Sequence, residues 1–348
     1  MIPFEQFHQE LHEADIVITG GAGFIGSHVM ETLLEGGAQA IAVDDLSTCG
    51  REKIVHLEGR DGFSLVVADV RDEEAMTEAL KGSDIVMHLA TRNVRLSLTR
   101  PTEVHEVNVI GTFNVLKAAK RAGAKRFLYC SSSEVNGTAR EVPMKEEYRC
   151  EPETIYGASK LAGEYYSSVF QRSGWLETVI ARPHNTYGPR EHADSHYGEV
   201  IPRFVLLALS GKPLTIYGDG SQTRDFTYVT ETAHYLIELA IHDKTAGGTY
   251  NVCRGRETSI LALAEMICSL TGLNESSVLL PARPADVLRL WGDPTHLRDT
   301  LGSGPSISIE EGLERTVAWF RHHMPEGVNS LAKPYDVAEQ SLSNEDWL

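Results

Sequence analysis

A short apolar run, Ile16-Val17-Ile18, leads directly into Thr19-Gly20-Gly21-Ala22-Gly23-Phe24-Ile25-Gly26, and an amphipathic segment follows through Leu34. No other stretch limits the possible folds as strongly as this order of strand, glycine turn and helix start. Gly20 permits the tight turn, Gly23 lets a pyrophosphate approach the backbone, and Gly26 lets the helix pack closely on the strand. The orphan N–H groups of the helix N-terminus then face the anion. A second apolar run, Ala40-Ile41-Ala42-Val43, ends in Asp44-Asp45, 18 residues after Gly26. A carboxylate there accepts both adenosine ribose hydroxyls and repels a 2′-phosphate, so the spacing predicts NAD rather than NADP.

The alternation of strand and helix continues. Phe63 to Val70, Asp84 to Ala90, Arg126 to Cys130 and Glu177 to Ala181 read as strands. Arg71 to Lys81, Pro101 to Gly123 and Gly157 to Ser173 read as helices between them. Strands separated by helices throughout predict an α/β fold with a doubly wound parallel sheet covered on both faces. The rhythm changes after Arg182, where turn signals crowd and the strands Leu214 to Tyr217 and Arg224 to Tyr228 are short. Helices over Thr230 to His242, Ile260 to Thr271 and Glu310 to His323 complete a smaller C-terminal α/β lobe that forms the second wall of a cleft. The expected organisation is therefore a cofactor-binding domain over 1–182, a mainly substrate-binding lobe over 183–325 and a polar tail over 326–348. Phe4, Phe7 and Leu11 fit one packed face of a short N-terminal helix.

Composition narrows the function. A net charge of −17 over 348 residues argues against a nucleic-acid or anionic-membrane surface, which needs clustered cations. No apolar run approaches the roughly 18 residues needed to span a bilayer, and no basic segment precedes an apolar core at the start; a soluble, cytoplasmic protein is expected. Cys49, Cys130, Cys150, Cys253 and Cys268 form no C-x-x-C pair and read as reduced thiols. His184, His192 and His196 fit no ligand spacing, so no metal is expected.

The candidate chemistry lies at the end of the Arg126 to Cys130 strand. It runs into Ser131-Ser132-Ser133-Glu134, and Tyr156-Gly157-Ala158-Ser159-Lys160 begins 24 residues after Ser132. A spacing of four puts Tyr156 and Lys160 on one helix face. The lysine ammonium, helped by a nicotinamide cation, is expected to bring the phenol toward working pH, making Tyr156 a general base. Ser132, at the carboxyl end of a parallel strand, can hydrogen-bond the same substrate hydroxyl.

Together these motifs resemble the extended short-chain dehydrogenase/reductase family, a Rossmann-type fold, and in particular its nucleotide-sugar epimerases, dehydratases and decarboxylases. The likeness runs from about Asp15 to about Phe320. The family fingerprint TGGAGFIGS is Thr19 to Ser27, and its ribose-binding turn is Asp44-Asp45-Leu46-Ser47-Thr48, with Cys49 in place of the usual glycine. Its Asp-Val pair matches Asp69-Val70, its HLAA strand end reads His88-Leu89-Ala90-Thr91, and its helix-stabilising asparagine matches Asn108. Arg182 to Pro189, Tyr217 to Phe226 and Arg283 to Asp286 are similar to its substrate-side motifs. The resemblance implies cofactor contacts from Gly20, Gly23, Phe24, Ile25, Gly26, Asp44, Asp45, Asp69, Val70, Leu89, Ala90, Asn108, Tyr156, Lys160 and Pro183. It implies substrate contacts from Ser133, Asn185, Arg190, Arg224, Arg283 and Asp286, and catalysis by Ser132, Tyr156, Lys160 and Glu134. A diphosphate bound to so acidic a chain needs local cations, and Arg224 and Arg283 stand in turn-rich positions suited to a cleft wall.

Oxidation at C4 of a nucleotide-diphosphate sugar is the step such a site implies, and the resulting ketone has three outcomes: epimerisation, elimination across C5 and C6, or loss of a C5 carboxylate. The family's 4,6-dehydratases carry Asp-Glu directly after the catalytic residue, whereas this chain has Ser133-Glu134. Asn136 replaces the usual tyrosine before Gly137. The reading is a 4-epimerase of a UDP-hexose or UDP-hexuronate, with a dehydratase or decarboxylase using Glu134 as the alternative. A non-catalytic NAD-binding sensor is the alternative of another class. A homodimer through the helices Pro101 to Gly123 and Gly157 to Ser173 is expected, with Val107, Ile110, Val115 and Leu116 as surplus apolar surface.

Overall fold

Ile16 and Ile18 pack to one side of their strand and Val17 to the other, and all three are buried. Burial on both faces is why the sequence reads as an unbroken apolar run. That strand, β1 (Asp15–Thr19), lies near the middle of a seven-stranded parallel sheet. The others are β2 (Gln39–Asp44), β3 (Phe63–Val67), β4 (Ile85–His88), β5 (Arg126–Cys130), β6 (Glu177–Pro183) and β7 (Thr249–Val252), in the order β7-β6-β5-β4-β1-β2-β3. The computed structural model describes residues 14–48, 50–193, 198–274, 277–282 and 287–323. Phe4, Phe7, Leu11, Cys49, His196, Arg283, Asp286 and the 326–348 tail lie outside the described residues.

Helices α1 (Phe24–Glu35), α2 (Glu73–Ala79), α3 (Pro101–His105), α4 (Thr112–Ala122) and α5 (Ile155–Arg172) connect the first six strands. Farther along come α6 (Val200–Leu209), α7 (Val229–Ile241), α8 (Ile260–Thr271), α9 (Thr295–Leu301) and α10 (Ile309–His322). On one sheet face Val29, Met30 and Leu33 of α1 meet Leu236, Ile237 and Ala240 of α7 over Ile16, Ile18 and Met87. On the other, Met76, Val115, Leu116 and Phe170 cover Val17, Val86 and Phe127. A second core, with Phe204 and Leu207 of α6, Leu263 and Ile267 of α8 and Leu313 and Phe320 of α10, organises the smaller body.

Three expectations change. A cut at residue 182 does not separate the two bodies, because β7 hydrogen-bonds to β6 and α7 covers the sheet, so part of 183–325 completes the larger body. Arg224 to Tyr228 is not one strand: Thr223–Asp225 pairs with Glu257–Ser259, and Thr227–Tyr228 pairs with Thr186–Tyr187. The Asp225 carboxylate makes the corner by accepting N–H groups of Arg254, Gly255 and Gly292 at 3.2, 3.0 and 3.3 Å. The long helix from Pro101 is interrupted by a π turn at Glu106–Gly111, where the Thr112 hydroxyl donates back to the Asn108 carbonyl at 2.7 Å. Gly111 lets that turn press on the sheet, since a Cβ there would lie 2.5 Å from Val70 Cγ2.

Candidate active site

The carboxyl ends of β1, β2, β4 and β5 open into one cleft, the position where open parallel sheets bind ligands. Its floor is the glycine turn. Gly20 has φ +74° and a Cβ on it would meet Ala90 N at 2.6 Å, while a Cβ on Gly26 would come within 2.0 Å of Gly20 O. Only glycine allows α1 to start this close to the strands. Gly20, Gly23, Phe24, Ile25, Gly26, Val70, Leu89, Ala90 and Pro183 all line the cleft.

Asp44 and Asp45 both face this space and are held differently. Asp44 accepts the N–H groups of Ala22 at 3.0 Å and Leu46 at 2.9 Å, which ties the glycine turn to the end of β2. Burial raises its pKa above the usual carboxylate range. Asp45 is paired with Arg92 at 2.8 Å and accepts from Ser47 Oγ at 2.6 Å. Arg92 also reaches Glu103 at 2.9 Å. Sequence reading missed this buried arginine, whose signal is its place directly after the His88-Leu89-Ala90-Thr91 strand end.

Two expected cofactor residues, Asp69 and Asn108, are not among the residues that line the cleft. Asp69 forms an ion pair with Arg71 at 2.6 Å. Asn108 is buried one layer behind the cleft, donating to Arg92 O at 3.0 Å and Ser159 Oγ at 2.9 Å and accepting from Arg92 N at 2.7 Å. The π turn places that amide so that it joins the strand-end loop to α5.

The four catalytic candidates, Ser132, Tyr156, Lys160 and Glu134, line the same cleft. Ser132 accepts the Glu134 N–H at 3.2 Å and hydrogen-bonds the Tyr156 phenol. Thr154 caps α5 by accepting the Gly157 N–H at 2.9 Å, which fixes where Tyr156 enters the cleft. The expected lowering of the phenol does not follow from the protein's own groups: burial pushes Tyr156 up, and Ser132 pulls it back only in part. Burial likewise pushes the Lys160 ammonium down, to about 8. The Lys160 Nζ lies 4.8 Å from the centre of the Tyr129 ring.

Ser133, Glu134 and Asn185 also line the cleft. Asn185 has φ +21°, a conformation asparagine tolerates better than most residues. A second cavity of about 770 Å³ adjoins the first, sharing Val94, Glu134, Glu199 and Val200 with it. That size falls in the range of small-molecule sites. Arg224 lines it, together with Arg95, Arg203 and Tyr217. Arg190 does not point there: its guanidinium donates to Glu31 at 2.6 Å, His28 at 2.8 Å and His56 at 3.0 Å, fastening the smaller body to α1. Glu191, Glu199, Arg95 and Arg203 are further charged wall residues that went unread in the sequence, and Arg95 and Glu199 pair at 3.3 Å.

Residues 16–253 match the family described as the NAD dependent epimerase/dehydratase family. The chain belongs to it. UDP-glucuronic acid decarboxylase 1 of Arabidopsis thaliana is 35% identical over 315 residues, covering 89% of this chain and 70% of that protein. The UDP-glucose 4-epimerase of Thermotoga maritima, solved with UDP-glucose, is 32% identical with a TM-score of 0.84, covering 89% of this chain and 100% of the other. The dTDP-glucose 4,6-dehydratase DesIV of Streptomyces venezuelae, solved with NAD, is 30% identical with a TM-score of 0.85, covering 90% and 99%. Members of the family thus share one cofactor and diverge in outcome.

NAD is the cofactor of this family, and the residues present fit it. The glycine cradle a Cβ would fill and the N–H groups starting α1 suit a pyrophosphate, and Asp44 at the end of β2 suits ribose hydroxyls. When bound, NAD supplies a hydride acceptor and a nicotinamide positive charge. Among the described residues no helix is long and apolar enough to cross a membrane.

Proposed function

We propose that the chain is a nucleotide-sugar 4-epimerase that acts on a UDP-hexose or UDP-hexuronate through a 4-keto intermediate. The observation that carries this reading is the Ser132–Tyr156 hydrogen bond at the cofactor cleft, which joins the Arg224-lined second cavity. Tyr156 takes the C4 hydroxyl proton as the C4 hydride leaves, and Ser132 donates to the same oxygen. Return of the hydride to the opposite face of C4, with the proton going back from Tyr156 to the C4 oxygen, gives the C4 epimer. Arg224 supports a diphosphate beside the sugar. Arg283 and Asp286 belong to the same proposal on the family motif.

Ser133 supports epimerisation over dehydration. It is buried and lies where the dehydratase pattern has an aspartate, so the acid for a C6 hydroxyl is missing at that place. Glu134 favours the second reading, a lyase, because it lines both cavities and its charge opposes ionisation of Tyr156. Product masses from UDP-glucose, UDP-GlcNAc, UDP-glucuronate and dTDP-glucose separate the outcomes. An isomer of unchanged mass supports the epimerase, and loss of water or carbon dioxide overturns it. In an epimerase Glu134→Gln retains at least about a tenth of activity, the effect of a positioning contact of about 1.4 kcal/mol. Accumulated NADH without released product identifies the lyase. No turnover of any substrate favours the non-catalytic NAD sensor.

We also propose a homodimer through α3, α4 and α5. Val107, Val115 and Leu116 do not contribute surplus surface as expected, since all three are buried within the chain. The exposed apolar residues are Ile110, Phe113, Tyr165, Tyr166 and Val169 on adjacent helices, and the same helices of a second copy would cover them.

A further inference from the structure

Lys160 is a buried cation whose nearest acid is otherwise engaged. Glu164, one turn along α5, accepts Arg182 at 2.7 Å and the Ser131 hydroxyl at 2.6 Å. What stands beside the ammonium is an aromatic face, the Tyr129 ring of β5, 4.8 Å from Nζ. The ring is anchored to the backbone of the same lysine, its Oη donating to Lys160 O at 3.1 Å. Gly163 makes room for it: a Cβ there would fall 2.2 Å from Tyr129 Oη. Tyr129 is fully buried and also stacks on His88, ring centres 5.9 Å apart at 29°.

We propose that Tyr129 is a positioning residue for Lys160, its ring face serving in place of a counter-ion so that the ammonium stays charged beside the Tyr156 phenol. A cation over an aromatic face is attracted by the ring quadrupole, most strongly where water is excluded. Of the surrounding titratable groups, Cys130 and Glu164 favour the ammonium but do not offset its burial. From β4, His88 is held neutral by burial at about 3 and bonded to Thr19 at 2.6 Å and Thr112 at 2.9 Å. From β5, burial raises the Cys130 thiol and the Tyr129 phenol, keeping both uncharged near neutrality. On its own helix, Glu164 is shared with Arg182 and Tyr156 is raised by burial; Glu134, from the turn after β5, acts on Tyr156. Asn108 of the π turn is uncharged and bonds Ser159.

The sign is definite. Burial lowers Lys160, so its charge is complete well below pH 8 and is lost as pH rises through about 8. Weakening the ring's quadrupole lowers that midpoint further. The consequence for turnover rests on the proposed oxidation at C4, but the test needs no substrate. The NAD-bound protein is labelled with 13Cε-lysine and titrated by NMR, the Lys160 signal being assigned by its loss in Lys160→Arg. Position 129 is then occupied by Phe and by its 4-fluoro, 3,5-difluoro and pentafluoro forms, which hold nearly constant shape while draining the ring face of charge.

Phe is expected to retain the wild-type midpoint, and the fluorinated series to lower it stepwise by about one pH unit in total. Tyr129→Leu should reproduce the lowered midpoint where it folds. A flat fluorination series overturns the proposal. So does a Phe midpoint as low as that of Leu. A proportional fall supports it even if no nucleotide sugar turns over, so this proposal and the epimerase reading fail separately.

Discussion

The two halves of the cleft are held in place by different means. On the cofactor side, strand ends are fixed by a continuous parallel sheet, and the critical contacts are backbone ones: the glycine turn, and Asp44 accepting from Ala22 and Leu46. Around the second cavity the scaffold, among the described residues, is three two-stranded pairings joined by turns, and the wall is made by side chains such as Arg95, Arg203, Arg224 and Glu199. Backbone contacts dictate residue type, because only glycine fits where a Cβ would meet another backbone atom at 2.0–2.6 Å. Side-chain walls tolerate exchange. That contrast explains a family with one cofactor and several reactions.

The largest test of this contrast lies where the halves meet. Tyr156→Phe should lower turnover by about 10²- to 10⁴-fold, the usual cost of a general base, while NAD affinity measured by calorimetry stays unchanged. A simultaneous loss of NAD would mean that the phenol belongs to the cofactor half. Next comes Glu164→Ala, which strands Arg182 at the end of β6. Breaking such a buried pair costs about 3–5 kcal/mol, read as a lower urea midpoint. Arg224→Ala should raise KM for the accepted nucleotide sugar by about tenfold to a hundredfold, the loss of a charge-assisted bond, with NAD binding intact. The smallest functional effect is expected for Arg190→Ala. It should leave KM unchanged and lower the thermal midpoint, because its partners are Glu31, His28 and His56 rather than substrate. A raised KM would return Arg190 to the substrate half.

The same contrast governs what was legible in the sequence. Gly20, Gly23, Gly26 and Asp44 were readable because strand, turn and helix fix their spacing to within a residue. That Ser132, Tyr156 and Lys160 face one cleft was readable, because the i, i+4 spacing on α5 puts two of them on one face. The bonds of Arg190 to His28 and Glu31 of α1 were not legible, because sequence neighbourhood says nothing of direction. Arg92 was missed because its burial depends on a partner far along the chain, Asp45. The domain cut at 182 failed because β7 reads locally like any short strand, and its partner β6 lies some 70 residues earlier. That burial pushes the phenol up was not legible, because a lysine four residues away says nothing of how much water burial removes.

The edge position of β7 has a consequence for how this protein could be taken apart. Because the last strand of the cofactor-side sheet and the helix α7 are encoded after the first part of the smaller body, the two bodies are interlaced along the gene. A fragment ending at 182 would expose the bare edge of β6 and the apolar strip under α7, inviting aggregation. Exchanging the smaller body for a relative's to change the sugar accepted would require transplanting three separate segments, one before α7, one between β7 and α9 and one after α9, with α7, β7 and α9 left at home.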